Sequence, residues 1–340
     1  MNQWVIQEYG GPTGLAQVES QAPVPAAREV VVRVRAVSLN YRDLLNLKAA
    51  RPGSLPLPFV PCSDGAGEVI AVGSEVVQWK PGDRVAGIFF RDWTGGPFEL
   101  AYHKCALGGS APGMLAEQVV LPEHALVRIP EHLSDAEAAC LPCAGVTAWQ
   151  ALFTRGGLQA GRTVLALGTG GVSIFALQLA TAAGARVIIT SSSDEKLARA
   201  RELGAAEGVN YRTSPDWDKE VWRLSGKRGV DHVVEVGGPG TLEKSLNCVA
   251  AGGQVALIGV LTGFGPPTAT LFPLTARNAR MDGIYVGSRA DFEALDAFLT
   301  EHRIHPVIDR IFPWKDAPAA YAHLESGSHF GKVVIVANGS

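Results

Sequence analysis

Residues 163–196 read TVLALGTGGVSIFALQLATAAGARVIITSSSDEK, and this stretch holds the groups with the clearest chemistry. Gly168, Thr169, Gly170, Gly171, Val172 and Ser173 follow an apolar run that predicts a strand and open a run that predicts a helix. Gly168 permits a tight turn, and Gly170 lets backbone approach a pyrophosphate. The helix N-terminus adds unpaired N–H groups and a partial positive charge. Ser173 stands where the dinucleotide fingerprint has Gly or Ala, and it is small enough for close helix–strand packing. An NAD site carries Asp or Glu about 20 residues further on, to bond the ribose hydroxyls. Here that place falls at Ser191, followed by Ser192 and Ser193. A carboxylate would repel a 2′-phosphate, whereas hydroxyls can donate to it. Lys196 either supplies the cation or is an ordinary solvated helix charge, and Arg212, beside Tyr211, can add a second. The expected cofactor is therefore NADPH rather than NADH, although Asp194 and Glu195 weigh against it.

These groups need a scaffold, and the chain of 340 residues is long enough for two domains. Residues 1–126 are rich in Gly, Pro and β-branched types: EVVVRVRAVSL predicts a strand, GEVIAVGSEV strand–turn–strand, and KPGDRVAG a turn before another strand. Residues 127–288 alternate strand and helix, which implies a parallel sheet covered on both faces. Within them Ser192 is expected to cap the helix after RVIIT, with Glu195 completing a capping box. DHVVEV, QVALIGV and GIYVG predict further strands. Residues 289–340 predict a helix at DFEALDAFLTEH, a second at DAPAAYAHLESG and a final strand at GKVVIVA.

The net charge of −3 gives no global pull toward nucleic acid or anionic membrane. No apolar run reaches the roughly 18 residues of a membrane span. The start MNQWVIQEYGG lacks the basic head and apolar core of a signal peptide. The five cysteines (Cys62, Cys105, Cys140, Cys143 and Cys248) are odd in number and mostly scattered, so reduced thiols and a cytoplasmic location are expected.

VSLNYRDLLNLK, PCSDGAGEVIAVGSEV, KPGDRVAG, LPCAGVTAWQAL, GTGGVS and HFGKVVI together resemble the medium-chain dehydrogenase/reductase superfamily over essentially the whole chain. The resemblance implies an α/β protein, with a GroES-like β-rich catalytic domain (1–126 and 289–340) split around a Rossmann doubly wound parallel-sheet domain (127–288). SSSDEK and VNYR look like the NADPH-binding quinone oxidoreductase branch, in which the residues matching Ser192, Lys196 and Tyr211 surround the 2′-phosphate. Thr147 is implied near the nicotinamide carboxamide or the pyrophosphate, and Lys332 near the pyrophosphate. Gly259 would allow close approach to the cofactor. Gly287 and Arg289 fall at a domain crossover, where Arg289 could reach the cofactor or merely solvent.

Zinc members of the superfamily use Cys, His and a second Cys at positions that here are Asn40, Ser63 and Cys143. Asn and Ser are poor replacements for thiolate and imidazole. The lobe that carries four structural cysteines elsewhere has only Cys105 here. Neither a catalytic nor a structural zinc is expected, and His302 and His305 are taken as surface residues. Without metal, hydride addition to an enone or quinone is easier than alcohol oxidation, because charge moves to oxygen as an enolate that hydrogen-bond donors can hold. The expected activity is reduction of a quinone or α,β-unsaturated carbonyl by NADPH. Asn40 would polarise the substrate oxygen or orient the nicotinamide, Tyr41 or Arg42 would donate to the oxyanion, and Asp43 would fix the loop. For Asn40, Tyr41 and Arg42 the competing role is also loop structure.

Enoyl-thioester reductases carry a Tyr where this chain reads AARPGSLP, with Arg51 and no Tyr, so a fatty-acid enoyl reductase is disfavoured. A zinc-free alcohol or carbonyl dehydrogenase, using Asn40, Arg42 and Asp64, is the second reading. A non-catalytic NADPH-binding protein is the third, and no basic stripe with interleaved aromatics supports RNA binding. The RDWTGGP loop is open to a role as a substrate cover, and Phe59, Phe89, Phe90, Trp93 and Phe264 to core packing or site lining. A homodimer through GIYVG is expected, with a tetramer left open.

Overall fold

The computed structural model describes residues 1–48 and 55–337, so Arg51 lies outside the described residues. The chain divides into two compact units, Met1–Val146 with Gly287–Ser340, and Thr147–Val286.

In the first unit the strand Glu29–Leu39 is the axis of a seven-stranded sheet. Its β-branched residues suit a pleated, buried surface, and Val30, Val31, Val32, Val34 and Val37 are buried. It pairs antiparallel with Lys332–Val336, Asp64–Val72 and Gln118–Pro122. The sheet continues from Lys332–Val336 to Ile308–Pro313, and from Asp64–Val72 to Arg84–Gly87 and Leu126–Arg128. Two registers matter for chemistry. Leu39 sits opposite Val333, and Ser38 sits opposite Asp64. The end of the axial strand and the starts of two others therefore meet at one place.

The second unit is a six-stranded parallel sheet. Its spatial order is Glu207–Asn210, Arg186–Ser191, Thr163–Ala166, Val230–Glu235, Val249–Leu257 and Arg280–Gly283. By chain order this runs third, second, first, fourth, fifth, sixth, the doubly wound Rossmann arrangement. Leu165, Ile188, Val233 and Val255 are fully buried in its core, as continuous apolar strands covered on both faces require.

Several expectations need correction. Residues 127–146 lie with the first unit, because Leu126–Arg128 pairs with Arg84–Gly87 and the Cys143 N–H binds Asp64. The last strand of the parallel sheet is Arg280–Gly283, not GIYVG. Its pairing runs out at Gly283 opposite Leu257, and Val286 then turns the chain with φ 59°. The residues after Val72 form a turn, closed by Val76 N–H on the Gly73 carbonyl at 3.2 Å, rather than a second strand. The helix Asp194–Glu202 is capped by Ser193, whose Oγ accepts from Lys196 N–H at 3.3 Å. Ser191 Oγ holds the Ser193 N–H at 3.3 Å, which moves the helix start one residue on and leaves Ser192 outside the cap. Phe89, Phe90 and Trp93 are core, whereas Phe264 is 56 % exposed.

The loop RDWTGGP is pinned rather than free. Arg289 and Ala290 donate backbone N–H groups to the Trp93 and Thr94 carbonyls at 2.9 and 3.1 Å, and the Trp93 indole donates to Gly96 O at 3.1 Å.

The helix Arg289–His302 holds one unfavourable group. Asp296 is 8 % exposed, and neither carboxyl oxygen has a hydrogen-bond partner among the described residues. Burial, with Glu293 adding to it, pushes its pKa well above the usual carboxylate range. A carboxyl raised on folding makes the native state less stable as pH rises through that shift. Asp296→Leu should therefore raise stability at pH 7 by about 1–2 kcal/mol, with a smaller gain at pH 4, as read by urea unfolding.

Candidate active site

The meeting strand ends of the first unit assemble Asn40, Ser63, Asp64, Cys143 and Lys332. Lys332 is 3 % exposed; its Nζ donates to Leu39 O at 2.8 Å and to Asn40 Oδ1 at 2.6 Å. Asp64 Oδ2 lies 3.9 Å from the same ammonium. Ser63 Oγ donates to Asp64 Oδ1 at 2.7 Å, and the Cys143 N–H donates to Oδ2 at 3.2 Å. Asn40 Nδ2 reaches Ser63 Oγ at 3.5 Å. Burial raises the Asp64 pKa, opposed by Lys332 and by hydrogen bonds from Asn40, Ser63 and the Cys143 backbone. Burial also pushes the Cys143 thiol up, although its side chain is only half-buried rather than enclosed.

Asn40 precedes the helix Tyr41–Leu47, and the Asp43 carboxylate accepts its N–H at 2.8 Å. That is the loop-fixing role expected of Asp43. Its other oxygen has no partner among the described residues, and burial, opposed by Arg42, raises its pKa to about 6. Behind it the buried Cys62 thiol and Tyr321 hydroxyl lie 3.2 Å apart. Arg42 turns inward: Nη1 donates to Leu107 O at 2.6 Å, and the guanidinium stacks 4.3 Å from the Phe89 ring. Both contacts fit the loop-structuring role, and Nε has no hydrogen-bond partner among the described residues. Tyr41 is 39 % exposed, outside the Asn40–Lys332–Asp64 network.

In the second unit, the turn after Thr163–Ala166 places Gly168 at φ 72°, with open space where a Cβ would stand. Its N–H donates to Thr190 Oγ1 at 3.1 Å. Gly170 precedes the helix Gly171–Ala182, which Val172 and Ser173 continue. Ser173 is buried and donates to Leu167 O at 2.6 Å, closing the helix onto the strand. The strand Arg186–Ser191 ends in hydroxyls, with Ser192 half-buried beyond buried Ser191 and Lys196 in the first turn of the next helix. Asp194 accepts from the Asn210 amide at 2.9 Å, and Tyr211 is 42 % exposed.

Gly259, Gly287, Arg289, Thr147, His302 and His305 have the following surroundings. A Cβ on Gly259 would sit 1.7 Å from Val236 O, so this glycine admits a neighbouring strand end. A Cβ on Gly287 would sit 2.6 Å from Val146 Cγ1, a packing constraint. Arg289 is committed to Glu293 at 2.8 Å, with longer bonds to Gln78 and the His124 carbonyl. Thr147 is buried in the short helix Val146–Trp149, between π-helical turns. His305 pairs with Glu137 at 2.8 Å, and His302 packs on Phe298.

One residue escaped sequence reasoning. Glu235, fully buried at the end of Val230–Glu235, accepts from Gly237 N–H (2.7 Å), Gly238 N–H (2.9 Å), Thr241 Oγ1 (2.6 Å) and Ser245 Oγ. It braces the turn beside the strand that leads into Gly168. The signal was available: an acid at a strand end, followed closely by Gly-Gly, is a carboxylate that can cap its own turn.

Comparison with known proteins agrees with this architecture. The alcohol dehydrogenase GroES-like domain family matches residues 26–131, and the zinc-binding dehydrogenase family matches residues 171–301. A zinc-type alcohol dehydrogenase-like protein of Schizosaccharomyces pombe is 45% identical over 313 residues, 90% of each chain. A quinone oxidoreductase of Pseudomonas aeruginosa is 36% identical over 259 residues, 75% of this chain and 72% of that one. A crystal structure of an NAD-dependent alcohol dehydrogenase superposes with TM-score 0.89 at 36% identity, covering 99% of both chains. The chain belongs to the medium-chain dehydrogenase/reductase superfamily of oxidoreductases.

That family brings two groups to test against these residues. A nicotinamide dinucleotide fits the glycine turn, the helix N-terminus and the hydroxyl-ended strand. Zinc does not fit the first-unit cluster: an amide, a hydroxyl and a single thiol face an ammonium already bonded to the amide. Among the described residues no group of three or more His, Cys, Asp and Glu side chains is placed to hold a metal.

The electrostatics of the Asn40 turn can be measured. Asp43 is raised on folding from 3.8 to about 6, so its contribution opposes folding by about 3 kcal/mol at neutral pH and vanishes below pH 4. Asp43→Asn should lose less stability at pH 7 than at pH 4, relative to the native chain in urea unfolding. Gly259→Ala should cost about 2 kcal/mol or more by the same assay, with overpacking as the cause.

Proposed function

We propose that this chain is a zinc-independent oxidoreductase that transfers hydride from NADPH to a quinone or α,β-unsaturated carbonyl. The observation that carries this reading is the Asn40–Lys332–Asp64 cluster, in which the side chain of Asn40, matched by resemblance to a zinc-ligand position, is bonded to a buried ammonium instead. Such donors suit an acceptor whose negative charge spreads onto an oxygen in hydrogen-bond reach. NADPH, when bound, supplies the hydride; the protein holds the acceptor oxygen and excludes competing chemistry. Asn40 is the donor to that oxygen. Asp64 and Ser63 keep the amide in place, and Lys332 serves here rather than at a pyrophosphate.

The second unit holds the dinucleotide. Gly168, Gly170, Gly171 and Val172 take the pyrophosphate; Ser191, Ser192, Lys196 and Tyr211 take the adenosine ribose and its 2′-phosphate. The hydroxyl that ends Arg186–Ser191, and the engagement of Asp194 by Asn210, favour NADPH. Likeness to an NAD-dependent alcohol dehydrogenase of known structure supports a second reading, an NAD(P)-dependent alcohol or carbonyl dehydrogenase. The five cysteines are free thiols, which suits an enzyme of the reducing cytoplasm acting on small molecules. No helix among the described residues is long and apolar enough to cross a membrane. The apolar side chains Leu271 and Phe272, 54 % and 70 % exposed and close in sequence to the edge strand Arg280–Gly283, fit a homodimer through that edge.

The test is a substrate panel with both cofactors on purified protein. NADPH oxidation should be fast with benzoquinones and enones, slow with saturated aldehydes, and unchanged after chelator dialysis. Turnover confined to saturated carbonyls or alcohols would sink the reading. Ser191→Asp should raise the KM for NADPH at least about 10-fold and reduce discrimination against NADH. Lys196→Ala should raise it about 3- to 10-fold, with kcat for the acceptor unchanged.

A further inference from the structure

We infer that Lys332 is a positioning residue. Its ammonium locks the side-chain amide of Asn40 so that Nδ2, and not Oδ1, is offered to the acceptor oxygen. The inference rests on the reading of Asn40 as the group that meets the acceptor.

The geometry leaves the amide one orientation. An ammonium has donors and no acceptor, and so does an amide NH2. Lys332 Nζ lies 2.6 Å from one end of the Asn40 amide, a distance only an oxygen can occupy. A flipped amide would set donor against donor at contact distance. Lys332 itself cannot yield, because Leu39 O holds it at 2.8 Å in a site only 3 % exposed. The Leu39 carbonyl is fixed in turn by its place at the end of the axial strand, opposite Val333.

With Oδ1 committed, Nδ2 is the donor end of the amide. It carries two N–H groups; its protein partners are Ser63 Oγ at 3.5 Å, the outer limit of a hydrogen bond, and the Asp64 carboxyl, which also accepts from the Asn40 side chain. Ser63 spends its own hydrogen on Asp64 at 2.7 Å. A cation bound to the amide oxygen draws electron density from nitrogen and strengthens its N–H groups as donors. Access points the same way. Ser63 and Asp64 are 0 % exposed and Lys332 3 %, whereas Asn40 is 8 % exposed. Asn40 is thus the member of this network with the most access to a ligand. A lysine in this place supplies fixed positive charge behind a neutral donor, where zinc relatives would set a metal in direct contact with the substrate.

The experiment joins a spectroscopic readout, made without any substrate, to kinetics. The Asn40 side-chain N–H resonances are assigned in the full chain by their loss in Asn40→Asp. They are then followed in Lys332→Arg, in Asp64→Asn, and in Lys332→Met combined with Asp64→Asn. The double variant removes both buried charges and so avoids leaving one unpaired. The expected result is that the double variant stays folded, its Asn40 N–H pair shifts, and the Asp64→Asn control shifts less. Its kcat for an enone or benzoquinone should fall about 10- to 100-fold with the KM for NADPH within about twofold, and Lys332→Arg should restore part of the rate. Unchanged Asn40 resonances in the double variant would overturn the inference. So would an effect confined to the KM for NADPH, or failure of both Lys332 variants to fold. If the native chain reduces no quinone or enone, the proposed function fails, and the resonances alone still decide whether Lys332 orients the amide.

Discussion

A buried ammonium must have acceptors, and that requirement organises the first unit around Lys332. Its partners are a strand-terminal carbonyl, an amide oxygen and, at 3.9 Å, the carboxylate of Asp64. They come from residues 292 and 293 positions away in the chain for Asn40 and Leu39. Only a sheet whose axial strand pairs with both the C-terminal strand and Asp64–Val72 can deliver them to one place. Removing one partner of such a pair strands a charge, at a cost of about 3–5 kcal/mol. The registers that make the β-sheet are therefore also the registers that make the candidate site.

The loop between Phe90 and Cys105 is ordered by packing among its own aromatic side chains. Here Phe90, Trp93, Phe98, Tyr102 and His103 pack edge-to-face, tilted or stacked, with centroids 5.0–6.1 Å apart. Cys105 donates to Tyr102 O at 3.1 Å. Aromatic pairs of this kind contribute about 0.5–1.5 kcal/mol each beyond area burial. The lobe is thus ordered by side chains and by its backbone bonds to the helix Arg289–His302.

In the second unit the division of labour differs. The glycine turn is built to be approached, with Gly168 held at a positive φ and nothing standing over it. Next to it, Glu235 ties up the N–H groups of Gly237 and Gly238, making that turn rigid. Gly259 serves the packing around Val236. Of the glycines that follow strands in this unit, Gly168 has open space where a Cβ would stand, while Gly259 meets Val236 O. Residue type cannot separate these roles, because both come from the missing Cβ.

The residue string by itself determined the parallel sheet covered on both faces, the glycine turn and the axial strand, whose observed limits match the alternating run EVVVRVRAVSL. Those are local properties: periodicity, turn chemistry and small residues act over a few positions. Its resemblance to zinc relatives implied that Asn40 and Ser63 fall at metal-ligand positions. Tertiary structure decided the rest. Lys332 was legible as a cation near the end of the chain, but its bond to Asn40 depends on strand register. Arg42 was open to an oxyanion-donor or a loop-structuring role, and its contacts with Leu107 and Phe89 are of the second kind. The strand expected at GIYVG ended early because its neighbour's pairing ran out at Leu257. Side-chain partners and strand ends are set by non-local contacts, which a linear pattern does not encode.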